Sequence, residues 1–188
     1  MNNPEYIKIG DKKYKINTDY RTILKINKIS CDDTIKDYER IVAIMYLFYG
    51  EDMMNNPDFE KLVYAMYDFI KGRPSSMKPI GDEKQEIDMD YDYDMGLIIA
   101  SMKSEYGIDI TKEKIHWWSF FDYLNGLSTD CILNRVREIR SKDLSKIKDK
   151  EEREEYERLQ KIWSLDKKKT MTAEQKKSVE EFYKDFTL

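Results

Sequence analysis

YDYDMGLIIASMKSEYGIDI (residues 91–110), IHWWSFFDYLNGLSTD (115–130) and RSKDLSKIKDKEEREEYERLQKIW (140–163) follow one another through the middle of the chain. They hold the adjacent tryptophans Trp117 and Trp118, two glycines placed as helix stops, and the longest charged helical pattern. In the first segment Met95, Ile98, Ile99, Met102 and Tyr106 recur at three- and four-residue steps, and Gly107 ends the pattern, which predicts an amphipathic helix. After a short corner at Ile108 to Thr111, an aromatic helix is expected from about Lys112 to Asn125, with Gly126 as its stop. At roughly 100° per residue, Trp117, Phe120, Phe121 and Leu124 share one face and read as core. Trp118 falls beside that stripe, half-covered or open to a partner.

The third segment begins near a basic helix. Ser128 is placed to cap Thr129 to Arg140, with Ile132, Val136 and Ile139 on its apolar side. Arg135, Arg137, Arg140, Lys142, Lys146, Lys148 and Lys150 form a basic stretch, but Asp143, Asp149, Glu151 and Glu152 interrupt it. Mixed charge gives little attraction for a polyanion, so a solvated face is expected. The helix from Asp149 to Leu165 carries Glu154 four before Arg158 and Glu157 four before Lys161. Its apolar seam of Tyr156, Leu159, Ile162 and Trp163 is wide enough for one neighbour.

Working outward, residues 6–17 alternate around Gly10-Asp11 and predict a small hairpin that must lie on helices to be stable. Thr18 and Asp19 offer an N-cap for a short helix through Tyr20, Ile23 and Leu24, fading near Asn27. Asp32 or Asp33 is placed to cap a helix reaching Tyr49, with Gly50 after it. Every residue from Ile41 to Tyr49 is apolar or aromatic, which predicts enclosure on nearly all sides. Asn56-Pro57 reads as a cap followed by proline at the first helical position. Phe59, Leu62, Val63, Met66, Phe69 and Ile70 then mark a helix closed by Gly72. Residues 73–89, with Pro74, Pro79 and Gly81, read as a mobile acidic linker. Past Leu165, Thr172 to Gln175 is a capping box before a terminal helix with Val179, Phe182, Tyr183 and Phe186 on one side. The expected class is mainly α: a bundle of about seven or eight helices with a small N-terminal hairpin. The expected parts are residues 1–72, the linker 73–89, a helical core at 90–165, and a terminal helix at 166–188 that docks or binds a partner.

The chemistry inventory is sparse. Apolar residues make up 40% and charged residues 37%, too apolar for disorder and too charged for a membrane span, and the net charge of −4 argues against a dedicated nucleic-acid binder. The longest apolar run falls well short of the roughly 20 residues a membrane span needs. No basic segment followed by an apolar one opens the chain, so no secretory signal is expected. Cys31 and Cys131 are too far apart for a metal or redox motif and are expected reduced. His116 is the single histidine. It lies off the apolar face and reads as a surface residue, without a serine or cysteine partner for nucleophilic catalysis. Asp88, Asp90, Asp92 and Asp94 alternate as calcium ligands do, but the sixth position from Asp88 is Tyr93 and the twelfth is Ile99, where a binding loop needs glycine and glutamate. These carboxylates are expected at the positive end of the following helix. Neither a catalytic residue, a metal nor a cofactor is expected, and the chain is read as a binding protein.

The segments DYDMGLIIASMKSEYGIDI, IHWWSFFDYLNGL and SKDLSKIKDKEEREEYERLQKIW, with YKINTDYRTILK upstream, resemble the bacteriophage gene-product-fifteen family over about Tyr14 to Leu165. The tryptophan pair followed by Leu124-Asn125-Gly126-Leu127 is the most specific part. Members are similar in size and setting to tail assembly chaperones of long-tailed phages, which hold the apolar tape-measure protein before the tube forms. The resemblance therefore implies a non-catalytic factor in the host cytoplasm, absent from the finished virion, whose partner is the tape-measure or another tail protein. Self-association is compatible with it, while nucleic acid and membrane are not expected as partners. A holdase needs apolar surface outside its core. Trp118, Tyr123, Val179, Phe182, Tyr183 and Phe186 are the expected partner-binding residues. Two alternatives are a structural tail component and a nucleic-acid or regulatory module using Arg135 to Lys150.

Overall fold

The computed structural model describes residues 3–73 and 88–165. Among them are seven α-helices, one 3-10 turn and a two-stranded hairpin, so the chain is mainly α. The terminal segment with Val179, Phe182, Tyr183 and Phe186, and all but the ends of the 73–89 stretch, lie outside the described residues. Two compact units can be distinguished. One holds residues 3–73 and 94–134, the other 88–93 and 135–165. The division differs from a partition at 73–89, because 94–134 groups with the N-terminal residues and the boundary falls after Asn134.

The first unit opens with β1 (Tyr6–Ile9) and β2 (Lys12–Lys15), antiparallel with Ile7 opposite Tyr14. Gly10 turns the chain with φ +59°, a conformation that suits a residue without Cβ. The hairpin is tied down at both ends: at its base the Asn17 N–H donates to Phe48 O at 2.7 Å, and beside its turn Lys12 pairs with Asp58 at 3.1 Å. Next, α1 (Tyr20–Ser30) starts at Asp19, whose carboxylate accepts from the Arg21 N–H, and it runs a turn past the expected fading point. Helix α2 (Asp37–Tyr49) begins at Lys36, not at Asp32 or Asp33. Asp32 instead holds a turn by accepting from the Thr34 N–H and hydroxyl. Gly50, with φ +76°, ends α2 as expected. Helix α3 (Phe59–Ile70) starts two residues beyond Pro57, since Asn56 spends its side-chain oxygen on the Asp58 N–H. Helix α4 (Met95–Tyr106) follows Asp94, which is buried, and ends at Gly107 in the left-handed conformation.

The largest departure is α5, which spans only Trp117–Asn125. Residues 112–116 do not join it, because their backbone is taken by the start of α1. Tyr20 N–H donates to Ile115 O at 3.0 Å, and Trp117 N–H donates to Thr18 O at 2.7 Å. Helix α6 (Ile132–Ser141) likewise starts later than expected. Ser128 does not cap it; Ser101 Oγ accepts from the Leu133 N–H and Cys131 Sγ from the Asn134 N–H. Ile132 is exposed, so it is not part of the apolar side. The core of this unit is made by Ile23 and Ile26 of α1, Ile44 and Phe48 of α2, Leu62 and Met66 of α3, Ile98 and Met102 of α4, and Trp117 and Phe120 of α5, all at most 2% exposed. Tyr20 stacks on Phe120 at 4.4 Å between centroids and donates its hydroxyl to Ile110 O at 3.0 Å.

In the second unit, a 3-10 turn at Leu144–Lys146 leads into α7 (Lys150–Trp163), capped by Asp149. Arg140 organises the described residues here. Its guanidinium donates to Trp163 O at 2.6 Å and Asp88 O at 2.9 Å, and lies over the Tyr93 ring. Arg137 pairs with the Asp88 carboxylate at 3.0 Å. Gln160 donates to Ile139 O and Lys142 O, closing the carbonyl end of α6. Gln160 is thus part of the seam and Ile162 is exposed. Along α7 Arg158 pairs with Glu155, three residues back, and Lys150 with Glu154, in place of the expected Glu154–Arg158 and Glu157–Lys161 pairs.

Candidate functional site

Every residue of α2 from Ile41 to Tyr49 is apolar or aromatic, so its sequence marks no outer face. Packing chooses one. Ile44, Met45, Phe48 and Tyr49 are buried, whereas Tyr38 and Tyr46 are 67% and 58% exposed. The expectation that this helix is enclosed on nearly all sides is therefore corrected: one side is open. Tyr38, Val42 and Tyr46, spaced four apart, form a ridge along it. Beyond Gly50 the chain turns back, and Asp52 accepts from the Met54 N–H at 2.9 Å, setting Met53 and Met54 beside the ridge. The result is a groove of about 360 Å³ lined by Tyr38, Glu39, Val42, Ala43, Met45, Tyr46, Asp52, Met53 and Met54. Its floor is aliphatic and thioether, its ridge carries two phenols, and its charged lining residues are Glu39 and Asp52. Methionine and tyrosine suit such a surface, since the one adapts its shape and the other offers rigid amphipathic area. Tyr38, Val42 and Tyr46 at a four-residue step and the Met53-Met54 pair after a helix stop are visible in the sequence, but nothing local singles this face out from the others.

The tryptophan pair has a different task. The last carbonyls of a helix lack intrahelical donors. At the end of α3, Trp117 Nε1 donates to Ile70 O at 2.8 Å and Trp118 Nε1 to Phe69 O at 2.9 Å. Trp118 also stacks on Phe69 at 5.3 Å, and the Arg73 guanidinium lies over the Trp118 ring at 5.6 Å from its centre. Both indoles thus close α3, and Trp118 is half-buried within its own unit. His116 is not a free surface residue. It is the N-cap of α5, with Nδ1 accepting from the Trp118 N–H, Nε2 3.0 Å from Pro4 O, and its ring against Phe69. Tyr123 is also half-buried, tilted against Tyr106, whose hydroxyl donates to Tyr123 O. The structure therefore places Trp118 and Tyr123 away from the α2 groove lining and does not bring them together with it.

The titratable groups are engaged structurally. Burial pushes the Tyr49 hydroxyl well above the usual phenol range, and it donates to Leu62 O at 2.8 Å. Asp58 is held below the usual carboxylate range by its bonds from Lys12 and Lys61. Glu105 is lowered by bonds from the Ser128 hydroxyl and N–H. Among the described residues no group of three histidine, cysteine or carboxylate side chains is placed to hold a metal ion. A second depression, of about 710 Å³, lies between α6 and α7 and is lined by Glu138, Asp143, Lys146, Lys148, Asp149 and Glu152 among others, with both signs of charge interleaved. Such a surface has no net pull on a polyanion.

Residues 2–165 match the family model described as Bacteriophage Gp15 protein. No curated protein and no solved structure matches the chain. Among the described residues no helix is long and apolar enough to cross a membrane.

Proposed function

The chain belongs to the bacteriophage Gp15 protein family, and from that premise we propose that it is a non-catalytic protein-binding factor in phage tail assembly that holds an apolar segment of the tape-measure protein. The observation that carries this reading is the open side of α2. A 360 Å³ groove with two exposed tyrosines and a methionine wall is surface a soluble domain rarely leaves uncovered without use. The core of the first unit supports it in a second way. There Trp117 and Trp118 close the end of α3 and the buried Tyr20 hydroxyl bonds the Ile110 carbonyl, so the groove is presented on a base held by fixed hydrogen bonds. A pre-formed surface loses less ordering entropy on binding.

The test is co-expression with the tape-measure protein encoded by the same phage. A soluble complex that elutes as one species, with the tape-measure protein insoluble when expressed alone, is the expected result. Equal insolubility of the tape-measure protein with and without this chain refutes the chaperone reading. Mass spectrometry of purified particles adds an independent outcome: the chain is absent, whereas stoichiometric copies would make it a structural tail component.

A further inference from the structure

We infer that the α2 groove takes an α-helix with an apolar ridge flanked by lysine or arginine; this deepens the partner-binding reading above by naming the chemistry of what is bound. Three observations carry it. First, the long wall is itself a helix of 13 residues, about 20 Å in length. Away from its ends its backbone N–H and C=O groups are bonded along the helix, so this wall offers no strand edge for an extended peptide. A partner lying on an apolar floor must bring its own backbone bonds already made, and a helix does so. Second, the Tyr38, Val42, Tyr46 ridge beside Ala43 and Met53 gives alternating high and low points at the four-residue step that another helix's side chains fill. Third, Glu39 in the first turn of α2 and Asp52, two residues past the Gly50 stop, both line the groove. Among the described residues its lining contains no lysine or arginine to offset them. Arg40, the nearest cation on α2, is turned away, bonded to Asp32 O and Ile35 O and paired with Asp37. Basic residues flanking the incoming ridge meet these carboxylates; acidic ones are repelled.

The probes are two synthetic 18-residue helices with the same leucine ridge, one flanked by lysines and one by glutamates, titrated against the full chain by calorimetry. The lysine-flanked helix binds at least about tenfold more tightly at low salt, and the preference shrinks in 0.5 M NaCl as exposed charges are screened. In the double variant Glu39→Gln, Asp52→Asn, which keeps the side-chain oxygen that holds Met54, the preference falls to about twofold or less. Val42→Glu weakens both helices by about tenfold or more, by placing a carboxylate in the middle of the apolar ridge. If that variant does not fold, Tyr46→Ser at an exposed position serves in its place, with the same sign. Equal affinity for the two probes, or binding indifferent to both Val42→Glu and Tyr46→Ser, overturns the inference. Full competition by a peptide of residues 166–188 also overturns it, by assigning the groove to the chain's own terminus. The tape-measure complex forming normally with these groove variants would sink this inference alone and leave the proposed function standing.

Discussion

Replacing Trp118 with alanine separates a structural role from an interface role. The side chain makes one hydrogen bond from Nε1 to Phe69 O, stacks on Phe69 at 5.3 Å and supports Arg73. A half-buried indole hides on the order of 100 Å² of apolar surface, or about 2.5 kcal/mol. The stack adds about 0.5–1 kcal/mol and the hydrogen bond about 1 kcal/mol. Phe69 O is not stranded by the change, since the Gly72 N–H also donates to it at 3.1 Å. Alanine itself is the best helix former, so α5 loses nothing locally. The sum is about 4–4.5 kcal/mol for Trp118→Ala and about 1 kcal/mol for Trp118→Phe, which keeps a stacked ring. Urea unfolding followed by far-UV circular dichroism, with the slope unchanged, reads both. The partner complex should form with Trp118→Phe at undiminished affinity. A Trp118→Ala chain as stable as the parent within about 0.5 kcal/mol, yet unable to bind its partner, would show that the indole faces outward in function and that its role in closing α3 is wrong.

Four further outcomes follow from the geometry. Tyr20→Phe keeps the stack on Phe120 but strands the buried Ile110 carbonyl, and should cost about 1–2 kcal/mol in the same unfolding assay. Gly107→Ala meets no atom within 4 Å but must hold φ near +71°, so it should destabilise by about 1–2 kcal/mol without any change in the hydrogen-exchange pattern of the core. Arg140→Ala removes donors to Trp163 O and Asp88 O, and hydrogen exchange across 88–93 and α7 should accelerate while α1 to α3 stay protected, reflecting the loss of charged bonds of about 1.5–3 kcal/mol each. Asp58 has its pKa lowered by Lys12 and Lys61, so its contribution is fully present above the unfolded carboxylate range near pH 4 and is lost as pH falls through the folded value; Asp58→Asn should flatten that part of the stability–pH curve, and an unchanged curve would refute the pairing.

Periodicity and punctuation in the chain were enough to place most helices. The three- and four-residue steps of α3 and α4, and the stops at Gly50 and Gly107, depend on forces acting within a few residues, so they can be read without neighbours. The specific tryptophan pair and its following Leu-Asn-Gly-Leu also pointed to the family that residues 2–165 match. What the residues alone left open was decided by long-range bonds. The start of α5 moved to Trp117 because Thr18 and Tyr20 claim backbone groups at 115 and 117, and this made His116 a cap in place of a surface histidine. The open face of α2 had no local mark, since an unbroken apolar run looks alike from every side; only the packing of α1 against it, and the return of Met53 and Met54 after Gly50, determined which side stayed bare. Local sequence sets where a helix can form, through torsional preference and capping. Which of its faces meets another element is a property of the whole chain, because burial is shared between partners that no single segment contains.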